Sequence, residues 1–216
     1  MNTPHVLVLA AGASSRFGSP KALARIDGHT LLDSTLAKAR AIAGDNVTVV
    51  LGANAESIIA ESGLSDGRIN RSQADIRPRV SINPHWADGL ASSLKHGIAL
   101  VPDDAAAALV ILVDQPGVSS ADLSMLIEAW RKRPLTAAAA EYAGGIGAPC
   151  ILPRAIFDAV MTLQGDRGAK AVLQSLAEVT RVPMPIAQFD IDTPAELERF
   201  TQDLPAAHVS EASGQT

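Results

Sequence analysis

With 216 residues, 47% of them apolar and 19% charged, the chain has material for one sizeable core, and residues 1–204 read as a single domain. A formal net charge of −5 argues against the basic stripe of a nucleic-acid binder, and no stretch reaches the roughly 18–20 uninterrupted apolar residues of a membrane span. The N-terminus lacks the pattern of a secretory signal, and the lone Cys150 excludes an internal disulfide framework, so a reducing, cytoplasmic setting is expected with Cys150 as a buried structural thiol.

Along the chain, apolar runs alternate with stretches of helical spacing. Val6–Ala10 reads as a buried strand and Leu31–Ala43 as a helix, with Leu32, Leu36 and Ala39 on one face. Asn46–Leu51 is a second strand, Glu56–Glu61 a short helix and Arg79–Ile82 a third strand. Gly89–Leu100 is helical, Ala108–Val113 is a strongly apolar strand, and Ser119–Arg131 is a helix capped by Ser119 or Ser120. Thr136–Glu141 is an alanine-rich strand candidate. Pro153–Met161 and Gly168–Leu176 read as helices, Phe189–Ile191 as a short strand, and Pro194–Leu204 as the last helix, with proline in its first turn. Residues 205–216 lose periodicity and read as a disordered tail. Strands separated by helix-length segments predict an α/β fold: a Rossmann-like, doubly wound, mostly parallel sheet with helices on both faces.

The segment after the first strand, Leu9-Ala10-Ala11-Gly12-Ala13-Ser14-Ser15-Arg16-Phe17-Gly18-Ser19-Pro20-Lys21, joins small residues to two cations. Small residues let backbone amides approach an anion, and Arg16 and Lys21 balance its charge, so the loop is a phosphate cradle or an ordinary strand-to-helix turn. It is not a P-loop, because Gly12 and Gly18 are one residue too far apart and Ser19 stands where lysine is required. Ser14 breaks the Gly-x-Gly-x-x-Gly dinucleotide pattern.

Two acidic sites accompany this loop. Asp114-Gln115-Pro116 follows an apolar strand, where open α/β sheets bind ligands; it is a metal site or a solvated turn. Asp190-Ile191-Asp192-Thr193-Pro194 would place both carboxylates on one face of a strand, unless one of them caps the next helix, a role for which Thr193 is the closer residue. Two carboxylates together with substrate phosphates suit magnesium. With a phosphate-bearing acceptor, largely dianionic at pH 7, that set suffices for nucleotidyl transfer by positioning and charge neutralisation. Asn83–Ser93 is a base- or phosphate-facing helix start or a capping turn with Trp86 in the core, and Leu163–Lys170 is an acceptor-binding or merely solvated loop. The five histidines are scattered and no Gly-x-Ser-x-Gly elbow occurs, so neither a zinc nor a serine hydrolase is indicated.

Leu9–Lys21 resembles the signature loop of the nucleotidyltransferases that act on the molybdenum cofactor, and its Leu-Ala-Ala-Gly opening resembles the cytidylyltransferase branch more than the guanylyltransferase branch. Asn83…Trp86…Gly89…Ser92-Ser93, Asp114-Gln115-Pro116, Gly165-Asp166-Arg167-Gly168-Ala169 and Asp190–Pro194 match further blocks in the same order, from about residue 5 to residue 203. The resemblance implies a nucleotide-diphospho-sugar-transferase-like fold and magnesium-dependent transfer of CMP from CTP to molybdopterin cofactor with release of pyrophosphate, in the service of a molybdenum hydroxylase or its maturation factor. It assigns the nucleotide to Leu9, Ala10, Ala11, Gly12, Arg16, Lys21, Gly89, Ser92 and Asp114, catalysis to Arg16, Lys21 and Asp114, and magnesium to Asp114 and Asp192. It leaves open GTP as donor, a sugar or polyol phosphate as acceptor, and a non-catalytic cofactor chaperone. One departure bears on the acceptor: Gly147-Ala148-Pro149 stands where the family often has Gly-His-Pro.

Overall fold

The computed structural model describes residues 3–62, 64 and 78–203. The tail 205–216 lies outside the described residues. Nine strands are formed among them: β1 (His5–Ala10), β2 (Arg25–Ile26), β3 (His29–Thr30), β4 (Val47–Leu51), β5 (Arg79–Ile82), β6 (Ala107–Leu112), β7 (Ala137–Tyr142), β8 (Gly145–Pro153) and β9 (Val179–Pro183). The helices are α1 (Leu31–Ala43), α2 (Ala55–Ser62), α3 (Leu90–Ile98), α4 (Ser120–Arg131), α5 (Phe157–Met161), α6 (Ala169–Ser175) and α7 (Pro194–Asp203). β2 and β3 make a small hairpin; the other seven strands form one sheet in the order β5-β4-β1-β6-β8-β7-β9.

The sheet is parallel apart from β8, which pairs antiparallel with both β6 and β7. Alternating residues of β1 explain its two-sided burial. Val6, Val8 and Ala10 join one core cluster with residues of α1, α2 and α4, whereas Leu7 and Leu9, with Ala11 just after the strand, join a second with residues of α3, α5 and α6. This matches the mostly parallel, doubly wound sheet expected from the sequence.

Helix boundaries follow local capping chemistry. Thr30 accepts from the Asp33 amide at the start of α1, and Ser119 with Asp122 completes a capping box on α4. At α7, Thr193 Oγ1 accepts from the Glu196 amide (3.3 Å), while Glu196 Oε2 accepts from the amides of Asp192 and Thr193 (2.9 Å each). Thr193 is therefore the cap, which leaves the Asp192 carboxylate free for other partners.

Two expectations are corrected, and two strands are added. Phe189–Ile191 is not a strand: a 3-10 turn over Pro185–Gln188 precedes it, and Asp190 and Asp192 instead flank Ile191, which is buried with its amide donating to the Asp114 carbonyl (2.9 Å). The anchoring of Ile191 replaces strand alternation as the reason these carboxylates sit where they do. Pro153 ends β8 rather than opening a helix; a 3-10 turn over Arg154–Ile156 leads into the short α5. Gly145–Pro153 and Val179–Pro183, unassigned in the sequence reading, are strands at the far side of the sheet.

β1 leads through α1 to β4 and through α2 to β5 on one side, whereas β6 lies on the other side of β1. The connections leaving β1 and β6 therefore diverge at the carboxyl edge of the sheet. That divergence opens a crevice where α/β folds take their ligands.

Candidate active site

The crevice is a cleft of about 430 Å³, within the range of small-molecule sites. One wall is the loop after β1. Its shape is set by Ser14, which adopts φ +55° and lies at the centre of a knot of hydrogen bonds. The Ser14 carbonyl accepts from the amides of Phe17 (2.9 Å) and Gly18 (3.1 Å), and its Oγ accepts from the Lys21 amide (3.0 Å). The carbonyls of Leu9 and Ala11 are spent on Val113 and Ala53. Among the described residues, the consecutive amides of Gly12, Ala13, Ser14, Ser15 and Arg16 donate to no protein acceptor, and all five residues line the cleft. Such a row of unpaired N–H groups is an anion-binding concavity.

The opposite wall is the start of α3. Gly89 precedes it with φ +96°, and a Cβ there would lie 2.5 Å from the Gly165 backbone. The Ala91 amide donates to the Gly165 carbonyl (2.9 Å), so the 164–168 loop is fastened to the helix start and brings Asp166 into the cleft lining. Leu9, Ala10, Ala11, Gly12 and Gly89 all line the cleft. Ser92 does not: its hydroxyl donates to the His85 carbonyl (2.6 Å) and accepts from Asn83 Nδ2 (2.8 Å), and Ser93, one residue on, faces the cleft instead.

At the floor, Lys21 bridges the two acidic segments. Its Nζ donates to Asp114 Oδ2 (2.8 Å) and to Asp192 Oδ1 (2.9 Å), while Arg16 donates to Asp192 Oδ2 (2.7 Å). The Lys21 side chain is 13% exposed and that of Arg16 is 71% exposed, so the lysine contacts are the stronger and the arginine pair is worth at most about 1 kcal/mol. Burial draws the Lys21 ammonium down, but Asp114 and Asp192 outweigh it and hold it above its ordinary value. The Lys21 hydrogen bond holds Asp192 below the usual carboxylate range, with Arg16 adding to the effect. Asp190 behaves oppositely: burial, then the charge of Asp114, pushes it up to about 6.

Asp114 Oδ1 is buried and has no hydrogen-bond partner. A buried acceptor left unpaired is costly, and a cation in the cleft would satisfy it. Among the described residues no three His, Cys, Asp or Glu side chains assemble a complete metal cage. Two hard carboxylate donors beside a phosphate cradle nonetheless fit magnesium or manganese, which complete their shells with substrate oxygens and water.

Several site features carried weak sequence signals. Trp86, Ser93 and Asp166 line the cleft, and only their membership in ordered motif blocks hinted at it. Gln115 is buried and donates to the carbonyls of Ala148 (3.2 Å) and Ala187 (2.7 Å), locking β8 and the 185–188 turn against the Asp114 loop.

Residues 6–179 match the MobA-like NTP transferase domain. The chain belongs to the MobA-like NTP transferase family. Its relatives include the nicotine blue oxidoreductase of Paenarthrobacter nicotinovorans, 33% identical over 181 residues that span 78% of this chain and 80% of that one. The probable molybdenum cofactor guanylyltransferase of Rhodopirellula baltica is 30% identical over 129 residues, spanning 59% of this chain and 56% of its own. Among solved structures, Rv0371c from Mycobacterium tuberculosis H37Rv superposes with a TM-score of 0.73 at 27% identity, covering 94% of this chain and 100% of that one. A manganese complex of Rv0371c gives a TM-score of 0.72 at 26% identity, covering 92% and 98%. These structures share with this member of the family the nucleotide-diphospho-sugar transferase type of fold. No described helix is long and apolar enough to cross a membrane.

Proposed function

We propose that this protein is a magnesium-dependent cytidylyltransferase that joins CMP from CTP to the phosphate of molybdopterin cofactor and releases pyrophosphate. The observation that carries the proposal is the meeting of five free amides with Arg16, Lys21, Asp114 and Asp192 at one cleft. The amides and the two cations bind the triphosphate and draw charge from it as the acceptor phosphate attacks the α-phosphorus and pyrophosphate leaves. A magnesium ion held by Asp114 and Asp192 would act there as template and Lewis acid. The acceptor needs no strong general base, because its phosphate is largely dianionic at neutral pH. The guanylyltransferase relative supports the molybdenum cofactor as acceptor, and the manganese complex of Rv0371c supports a divalent ion. Cytidylyl rather than guanylyl transfer rests on the Leu9-Ala10-Ala11-Gly12 opening. A cytoplasmic enzyme handing its product to a molybdenum hydroxylase or its maturation factor completes the proposal.

The experiment is a nucleotide panel. The protein is incubated with magnesium, each nucleoside triphosphate and either molybdopterin cofactor or a sugar or polyol phosphate, and pyrophosphate is measured. Release chiefly with CTP supports the proposal. Equal or greater turnover with GTP overturns the cytidylyl assignment, and release only with sugar or polyol phosphates overturns the acceptor. The oxidoreductase relative supports a second reading, redox chemistry in the same cleft. Substrate reduction by a hydride donor, with no pyrophosphate formed and no sensitivity to chelation, would favour it.

A further inference from the structure

Three of the four oxygens in the Asp114–Asp192 pair already have cationic partners. Lys21 takes one oxygen from each carboxylate and Arg16 takes the second oxygen of Asp192, leaving only the buried Asp114 Oδ1. A divalent ion held by both aspartates must therefore crowd against the Lys21 ammonium or the Arg16 guanidinium, or displace one of them. Displacing Lys21 is the costly step, because its ammonium is almost wholly enclosed and would lose both acceptors. A triphosphate supplies replacement acceptors within reach of the same loop.

Resting on the nucleotidyl-transfer reading, we propose that Lys21 is an intrinsic stand-in cation that bars a divalent ion from Asp114 and Asp192 until a nucleoside triphosphate draws its ammonium away. Metal and nucleotide then bind as a coupled pair. By linkage each raises the affinity of the protein for the other by the same factor, on the order of 10- to 100-fold. The lysine thus has two successive sets of partners: the carboxylates before the nucleotide arrives, and phosphate oxygens after it. An empty site stays electrically balanced, and neither ligand is captured alone in a form that cannot react.

The test measures Mn²⁺ binding by electron paramagnetic resonance on the full chain, first without nucleotide, in the wild type, Lys21→Met, Lys21→Arg and Asp114→Asn. Removing the ammonium should tighten nucleotide-free Mn²⁺ binding by about 10-fold in Lys21→Met, the lower end of such couplings. Lys21→Arg, which keeps the charge, should not tighten it. Lys21→Gln serves if the methionine variant folds poorly, and each variant's melting temperature is compared with and without Mn²⁺. Non-cleavable α,β-methylene analogues of CTP and GTP are then added; they should enhance Mn²⁺ binding in the wild type and much less in Lys21→Met. Unchanged or weaker nucleotide-free binding in Lys21→Met overturns the proposal. The underlying reading fails differently: if Asp114→Asn leaves Mn²⁺ binding intact with and without the analogues, Asp114 is not the metal ligand that reading requires.

Discussion

The two halves of the sheet differ in construction. On one side, β5, β4, β1 and β6 are parallel, and the connections from β1 to β4 and from β4 to β5 carry α1 and α2. On the other side, β8 is reversed between β6 and β7, and β9 closes the edge. The parallel half presents unpaired amides and two cations at its carboxyl edge. The mixed half brings Tyr142, Asp190 and the buried Gln115 close to Asp114, with the Tyr142 hydroxyl held above its ordinary value by burial and then by the charge of Asp190. Repetition of the βα unit builds the wall proposed to take phosphate, whereas the irregular half supplies the groups set opposite it. Asp114 stands on the seam between them.

The largest expected effect strikes the seam. Asp114→Asn keeps the shape but removes the charge that faces Lys21, and kcat should fall on the order of 100-fold or more, as when other preorganised electrostatic contacts are lost. Steady-state pyrophosphate release measures it. Near-normal turnover would take Asp114 out of the chemistry and leave the two halves without a shared catalytic group.

The start of α3, on the parallel half, can be disturbed through Gly89 where it meets the 164–168 loop. Alanine there must adopt φ +96° and meets backbone atoms of Gly165 at 2.5 Å, so the α3 start and the 164–168 loop must separate. The strain should cost about 1–3 kcal/mol of stability. The nucleotide KM should rise by about tenfold, equivalent to about 1.4 kcal/mol, while the acceptor KM holds. A rise in the acceptor KM alone would reverse the assignment of the two halves.

This division also decided what the sequence could reveal. The parallel half was legible because its strands are uninterrupted apolar runs and its helices carry caps; α1 begins and ends at Leu31 and Ala43, as its spacing indicated. The loop after β1 was legible as a cleft element because its small residues and two cations directly follow a buried apolar strand. The mixed half was legible only in part: Thr136–Glu141 was expected as a strand and β7 forms at Ala137–Tyr142, but β8 and β9 were not foreseen. Alanine gives β7 only a weak strand signal, and β8 contains Gly145, Gly147 and Pro149, which read as loop signals until two neighbouring strands supply its hydrogen bonds. The convergence of Asp192 on Lys21 across 171 positions could not be read from spacing, because it depends on Ile191 docking against the Asp114 carbonyl. Ser92 misled for a related reason: hydroxyls at adjacent positions of a helix start point to different neighbours, and only the structure shows that Ser93 faces the cleft.

A smaller effect probes the mixed half. A Cβ on Gly147 collides with the Tyr142 hydroxyl, the movable end of a side chain, so Gly147→Ala should re-aim the phenol at a modest stability cost of about 1 kcal/mol. The acceptor KM should rise several-fold, on the order of the 1 kcal/mol that one such contact contributes, with the nucleotide KM unchanged. Tyr142→Ala, combined with Gly147→Ala, should remove the further effect of the alanine at 147. Additive effects of the two substitutions would mean that the phenol does not transmit the change.

The smallest effect concerns what supports the seam from below. Lys38 on α1 donates to the Pro116 carbonyl (2.7 Å), beneath the loop that carries Asp114. Burial draws its ammonium down to about 8 from the ordinary 10.5, and Asp122 offsets only part of this. Between those two pH values the unfolded chain holds a proton that the folded chain has released, so this residue makes stability rise with pH. Below about pH 8 the folded protein carries the full cost of a desolvated charge. Lys38→Met removes that cost together with the bond to Pro116. The variant should therefore compare best with the wild type near pH 7 and lose about 1 kcal/mol of that standing by pH 10, a figure reduced for partial solvent screening. Urea unfolding of both proteins at pH 7 and pH 10 measures the difference, and a gap independent of pH would mean that Lys38 titrates alike in the folded and unfolded chains. If the methionine variant is as stable as the wild type at pH 7 yet turns over several-fold more slowly, the bond to Pro116 serves the placement of Asp114 rather than the stability of the fold.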